Sequence, residues 1–417
     1  MKRKLLFISA CLIANSFAAL AQSFTAGNLV VYRYGDGSAY TNGQLVPTFL
    51  DEYTTSGALV KTRGVPSAVN GLNKGLTGLL KLSSTGKYQQ EGVSTLSQDG
   101  KYITIFGYNA AVGATVPSSS DGLVVGVIAA DGTINTTTTL SNDASTGLGA
   151  PRSAIIDGNN IWANGFQNGV QYTTLNGTTS TRVSALQNAP TVLSIFNSSL
   201  IAPIGTFSTL AYSSPLPTTS VTFTTRAGIG SSPVSINQVV EFPIGNRRLM
   251  YAIDDVNSTI RRYYTNSGNT DWIAFGTNIP SSAQTSLVKS ITGVSQVVGS
   301  NTEITLYITT WGNDGTGSES SKLLTFKDTY VTPTTNPSAP TSTSALTTLA
   351  TAPAGTVFRS VTFAPQGSAA IGTGVLPVKL ASFSGQKQGE TIQLNWTTVS
   401  EKNNSHFDVL RSIDGKK

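Results

Sequence analysis

Two short constellations hold most of this chain's potential for chemistry. Asp254 and Asp255, with Asn257 and the Arg261-Arg262 doublet behind them, put two carboxylates and an amide on one loop. Oxygen ligands of that kind could hold Ca2+, or the two acids could serve as an acid and base pair on a glycan. The spacing lacks the alternating acids of a calcium loop. A plainer reading makes 252–255 a strand end whose acids satisfy turn amides, with the two arginines opening the next strand. The second constellation is Asn313-Asp314-Gly315-Thr316-Gly317-Ser318-Glu319 after Trp311, oxygen ligands beside an aromatic that could stack on a sugar. A glycine-rich hairpin connection explains it more simply. Asp254, Asp255, Trp311 and Asp314 are therefore the candidate ligand-binding residues. Ca2+ is the only cofactor they suggest, and none of them has a catalytic role assigned to it.

What the chain lacks is more restrictive. It has one cysteine and one histidine in 417 residues. Cys11 falls in an apparent leader and His406 stands eleven residues from the C-terminus, so 22–375 has no thiolate nucleophile, Ser-His-Asp triad or imidazole ligand to offer. Any chemistry there falls to carboxylates, tyrosines and hydroxyls. Charged residues make up 12%, against ~25% in an average soluble protein, so Ser, Thr, Asn, Gln and Gly must form the solvated faces. The net charge of +6 is misleading. Of 27 Lys and Arg, three lie in the leader and six in 376–417, leaving 18 against 17 acids for the middle. No basic run interleaved with aromatics appears, which argues against a nucleic-acid partner. The doublets Arg247-Arg248 and Arg261-Arg262 are expected to be solvated strand ends.

The elements that would position these residues are strands. Residues 22–417 sustain no helical periodicity. Short β-branched or aromatic runs instead alternate with polar turns such as Asp99-Gly100, Asp157-Gly158, Asn197-Ser198-Ser199 and Gly245-Asn246. The turn anchors recur at intervals of 40 to 58 residues, room for about four strands each. The expected fold is all-β, a propeller of six blades or of seven if 71–88 forms another. The blades fall at 24–65 with 357–365, then 88–145, 150–185, 188–230, 235–280 and 287–350. The orphan strand near 358–364 completes the first blade and closes the ring from both ends. Residues 329–348 are expected to be a long loop within the last blade. Trp162, Trp272 and Tyr263-Tyr264 are expected to fill space between sheets rather than line a polar pocket.

Residues 1–21 have a basic start, an apolar run and an Ala-Leu-Ala end, the pattern of a secretory signal cleaved after Ala21. Cys11 as a lipidation site would leave too short an apolar segment. No other stretch reaches the ~18 apolar residues of a membrane span. The organisation expected is a signal peptide at 1–21, a propeller at 22–366, a linker at 367–375 and a further module at 376–417.

That last module resembles a known one. LPVKLASFSG followed by ETIQLNWTTVSEKNNSHFDVLRSIDG is similar to the fibronectin type III-like module near the C-termini of secreted Bacteroidota proteins, where a type IX secretion sorting domain commonly follows. Only about three strands are present, short of the ~100 residues a closed sandwich needs. The ring segments FTAGNLVVYRYGDG, LSQDGKYITIFGYNA, APRSAIIDGNNIWANGF and FRSVTFAP resemble secreted bacterial propellers of the NHL or YVTN type. The resemblance implies architecture and an extracellular or cell-surface location, and no activity. The function expected is binding or scaffolding of a glycan, protein or envelope component. The alternative is a carboxylate-dependent glycan hydrolase or lyase, which needs two acids among Asp36, Glu91, Asp99, Asp157, Glu241, Asp254, Asp255 and Asp314 to meet on one face.

Overall fold

A computed structural model of the chain describes residues 23–367 and 379–400, apart from 42, 81–90, 116–121, 142–146, 185–190, 205–208, 227–228, 230–234, 255–256, 281–287, 311–320, 332–336, 338 and 389–390. The described residues hold strands and turns and no helix. Short β-branched runs broken by glycine every few residues favour that outcome.

Six antiparallel sheets follow one another along the chain. Blade one is ordered Val357–Phe363, Leu29–Tyr34, Thr48–Tyr53 and Leu59–Gly64 from the centre outward. Blades two to five begin with the innermost strands Thr95–Leu96, Pro151–Asp157, Ser194–Phe196 and Ile236–Ile244. Blade six begins with Val288–Val298. The ring closes as expected: Leu29 to Tyr34 pair antiparallel with Phe363 to Val357, so one blade is shared between the two ends of the fold.

The described part of the ambiguous stretch, 71–80, forms no seventh blade. Gly78–Leu79 pairs with Leu45–Val46 in a two-stranded patch, and Thr77 bridges to Tyr108 of blade two. A Cβ on Gly78 would overlap the Tyr34 ring, so only glycine lets this segment lie against blade one. Residues 329–348 also differ from the loop expected. Ser342–Thr343 and Thr347–Thr351 pair with Lys322–Val331 as a fourth strand in two pieces. The Thr-rich text there serves as an outer strand, which needs no apolar inward face.

Each blade buries both of its faces against a neighbour. Among the described residues the apolar core divides into six clusters, one per blade interface: Tyr32 and Leu50 meet Ile103 and Val124 between blades one and two, and Tyr251 and Ile260 meet Ile304 and Phe326 between five and six. Trp162 and Trp272 are interface residues of this kind. Both are buried, and their indole N–H groups donate to Pro217 O and Tyr212 Oη.

The innermost strands belong to separate sheets, and individual hydrogen bonds, most of them through side chains, join them. Ser94 N–H donates to Ser360 Oγ at 2.8 Å, linking blades one and two. Thr95 Oγ1 donates to Ala154 O, and Leu193 N–H donates to Ser153 Oγ at 2.9 Å. Val192 N–H donates to Asn237 O, Ile291 N–H to Gln238 Oε1 and Val361 N–H to Ser290 Oγ. Every junction of the six-bladed ring is thus bridged by a hydrogen bond. The belt gives part of the chain's hydroxyl-rich composition a structural purpose. Ser153→Ala is expected to cost about 2 kcal/mol, because the Leu193 amide is left buried without an acceptor. An unchanged denaturation midpoint would show that the belt does not hold the blades.

Candidate functional site

The belt surrounds a central cavity. Ser94 to Gln98, Ile155, Leu193 to Ile195, Gln238 to Val240, Ile291 to Gly293 and Val361 to Phe363 line it, so all six innermost strands contribute. No charged side chain is among these lining residues. The cavity reaches the first hairpin of blade two at Ser97 and Gln98, on the face that carries the first hairpin of every blade from two to six.

Charge is stored elsewhere. One residue before three of the belt serines stand Arg152, Lys289 and Arg359, all buried at the leading ends of the innermost strands of blades three, six and one. Beside Arg152 and Arg359 is Glu91, 6% exposed, whose Oε1 accepts from Tyr108 Oη at 2.7 Å while Oε2 is buried without a hydrogen bond. Burial pushes the Glu91 carboxyl up to about 7, against the opposing pull of the Tyr108 hydrogen bond and of Arg359 and Arg152. Arg359 lies 4.6 Å over the Tyr34 ring and donates to Leu79 O. Burial lowers its guanidinium to about 10. A carboxyl titrating near 7 has the right range for a general acid, but the free oxygen of Glu91 is sealed from solvent.

The expected site residues are placed as follows. Asp254 ends the second strand of blade five, fully buried, and spends both oxygens on local donors. Ser235 N–H and Asn257 N–H donate to Oδ1, and Asn257 Nδ2 and Arg261 Nε donate to Oδ2, the last at 2.7 Å. It is a clamp between strand ends. Asp255, Trp311 and Asp314 lie outside the described residues, as do Cys11 and His406. Among the described residues no three His, Cys, Asp or Glu side chains gather as metal ligands. Millimolar calcium is expected to leave the melting temperature unchanged. A site at a hundredfold excess over its Kd would add about 2.7 kcal/mol, so a rise of several degrees would reveal a calcium site.

The basic doublets are not solvated strand ends. Arg262 is 3% exposed and reaches from blade five to Asp328 of blade six, Nε to Oδ2 at 2.6 Å, where Tyr251 and Tyr330 also donate to that oxygen. Arg248 pairs with buried Glu241 at 2.8 Å. Arg33 pairs with Asp51, and Arg63 with Glu52. Buried carboxylates need partners, and strand alternation sends one arginine of each doublet inward. Of the remaining acids, Asp36 is exposed and bonded to Ser38 and Tyr40, Asp99 sits in the first hairpin of blade two beside Lys101, and Asp157 is in that of blade three. Among the described residues, the buried carboxylates are partnered by arginine or tyrosine, and none by another carboxylate.

No family model matches the chain, and no curated protein is similar to it. Solved structures give distant likenesses only. A Bacteroides uniformis protein provisionally named a 6-phosphogluconolactonase is 11% identical over 76% of this chain and 99% of its own, at a TM-score of 0.39. The periplasmic gluconolactonase of Pseudomonas aeruginosa is 10% identical over 78% and 99%, also at 0.39. The WD40 propeller domain of Doa1 is 8% identical over 84% and 95%, at 0.37. At such scores these likenesses carry no argument about activity.

Proposed function

We propose that this chain is an exported propeller that binds or scaffolds an extracellular partner, a glycan or another envelope component, without transforming it. One observation carries the reading: the buried acids in the described residues are engaged by arginine or tyrosine partners, mostly within their own blade, while the central cavity is neutral and lined by hydroxyl, amide and apolar groups. Acid and base catalysis on a glycan needs two carboxyls facing one substrate. The leader-like 1–21 and the fibronectin type III-like text of 376–417 support export and a cell-surface location.

The alternative is a glycan hydrolase or lyase with Glu91 as its acid, favoured by the near-neutral titration of that carboxyl. A binding screen of the mature chain against immobilised glycans and envelope fractions, run beside a product-release assay on the same material, separates the two. Retention without release is expected. Release that Glu91→Gln abolishes would establish the enzyme instead.

A further inference from the structure

The central cavity measures about 70 Å3. At ~15 Å3 per water it holds about five, so it admits a substituent that projects from a sugar and not the ring itself. Several of its polar groups are spent on local bonds. Ser94 is bonded to Ser360, Thr95 Oγ1 donates to Ala154 O, and Ser97 Oγ donates to Asp99. Gln238 is only half spent. It stands on the innermost strand of blade five, lines the cavity and is 8% exposed. Its Oε1 accepts from the Ile291 N–H of blade six at 3.0 Å, which fixes which end of the amide is oxygen. The Nε2 end carries two N–H donors. It finds no acceptor among the described residues, and it is not sealed from solvent. Gln238 is thus a donor held in place by its own oxygen.

A group that matches this cavity must present an acceptor to Nε2. It must also be uncharged, because an ion would be desolvated there with no countercharge on the lining. The walls make a third demand, since Leu96, Ile155, Ile195 and Val240 are apolar and suit a small aliphatic part. A hydroxyl brings no apolar part, a carboxylate brings a charge, and an aliphatic side chain brings no acceptor. An acetamido group meets all three demands. Its carbonyl accepts from Gln238 Nε2, its methyl lies against the apolar walls, and its N–H has the half-buried hydroxyls of Ser194 and Thr292 on the same lining. We propose that the cavity receives the acetamido group of an N-acetylated amino sugar, with Gln238 as the residue that selects it. This rests on the binding role above and specifies its ligand.

The test is calorimetric titration of the full mature chain with three hexasaccharides that share one backbone and differ at C2. Chitohexaose carries an acetamido group there, cellohexaose a hydroxyl, and the glucosamine hexamer an ammonium. Chitohexaose is expected to bind about tenfold more tightly than either of the others, the size of one hydrogen bond. This comparison needs only the wild-type chain, so no folding defect can imitate its result. Gln238→Glu keeps an oxygen for the Ile291 N–H and replaces the NH2 donor by an acceptor, and should lose the preference for chitohexaose. Thr347→Val, on the exposed outer strand of blade six, should keep it. Equal or higher affinity for either of the other hexasaccharides overturns the proposal, as does a preference that survives in folded Gln238→Glu. No binding of chitohexaose while another glycan or an envelope fraction is retained overturns it and leaves the binding role standing, and failure to retain anything removes both.

Discussion

Raising the pH from 5 to 8 is expected to destabilise this protein, the reverse of the usual behaviour of a fold rich in paired carboxylates. Glu91 and Glu241 are both buried, and burial raises each from 4.5 to about 7. A carboxyl whose folded-state value lies above its unfolded value binds its proton more tightly in the native state. Its contribution is complete below 4.5, is lost as pH rises toward 7, and stays lost above. Each shift of about 2.5 units corresponds to about 3 kcal/mol, so the two together are worth a large share of a marginal stability. The depressed carboxyls, Glu52 and Asp99 among them, lose their contribution only as pH falls through the ordinary carboxylate range, and so do not oppose this trend between 5 and 8. Urea unfolding across that range should show falling midpoints. Glu91→Gln imitates the protonated form, keeping an acceptor for Tyr108, and should match wild type at pH 5, exceed it by about 3 kcal/mol at pH 8, and roughly halve the slope. Glu241→Gln should remove most of the remainder. A flat wild-type profile, or a slope that Glu91→Gln leaves untouched, would mean that these groups ionise without cost.

Much of the architecture was legible because hairpin turns are local. Gly158, Gly245 and Gly299 have positive φ, as do Asn197 and Ser198, and these are the turn positions that glycine and asparagine tolerate. Repetition of such turns at blade-length intervals, with an orphan strand at the far end, sufficed to place the ring and its closure. Partnerships across blades were not legible. Arg262 and Tyr251 find Asp328 across 66 and 77 residues, and nothing in the local text separates a solvated arginine from a buried one. The belt left a faint trace: Arg152-Ser153, Lys289-Ser290 and Arg359-Ser360 repeat a basic residue before serine at the head of an innermost strand. Within a composition so rich in serine that trace carries little weight without the ring to align it. Glu91 stood among the candidate acids on sequence grounds, but its buried setting beside Tyr108, Arg152 and Arg359 comes from residues far apart in the chain.

Ending the chain after Thr356 should abolish cooperative unfolding altogether. All seven residues of Val357–Phe363 are buried. Four of them, Val357, Phe358, Val361 and Phe363, contribute about 1.5–3 kcal/mol each by apolar burial, which alone approaches the ~5–15 kcal/mol of a typical folded domain. The same strand carries Ser360 and donates from the Val361 N–H to Ser290 Oγ, so two junctions of the belt fail with it. Arg359 would no longer tie down Leu79, and Leu29–Tyr34 would become an open inner edge facing the cavity. Ending after Gly367 removes the hairpin of Lys379–Gln388 and Thr391–Ser400 but keeps every one of these contacts, and should melt as the full chain does. Calorimetry on both truncations separates closure from a general effect of shortening. A sharp transition in the shorter form, within a few degrees of the longer, would show that blades two to six hold together unaided, and that pairing of the two ends is a consequence of the ring and not its cause.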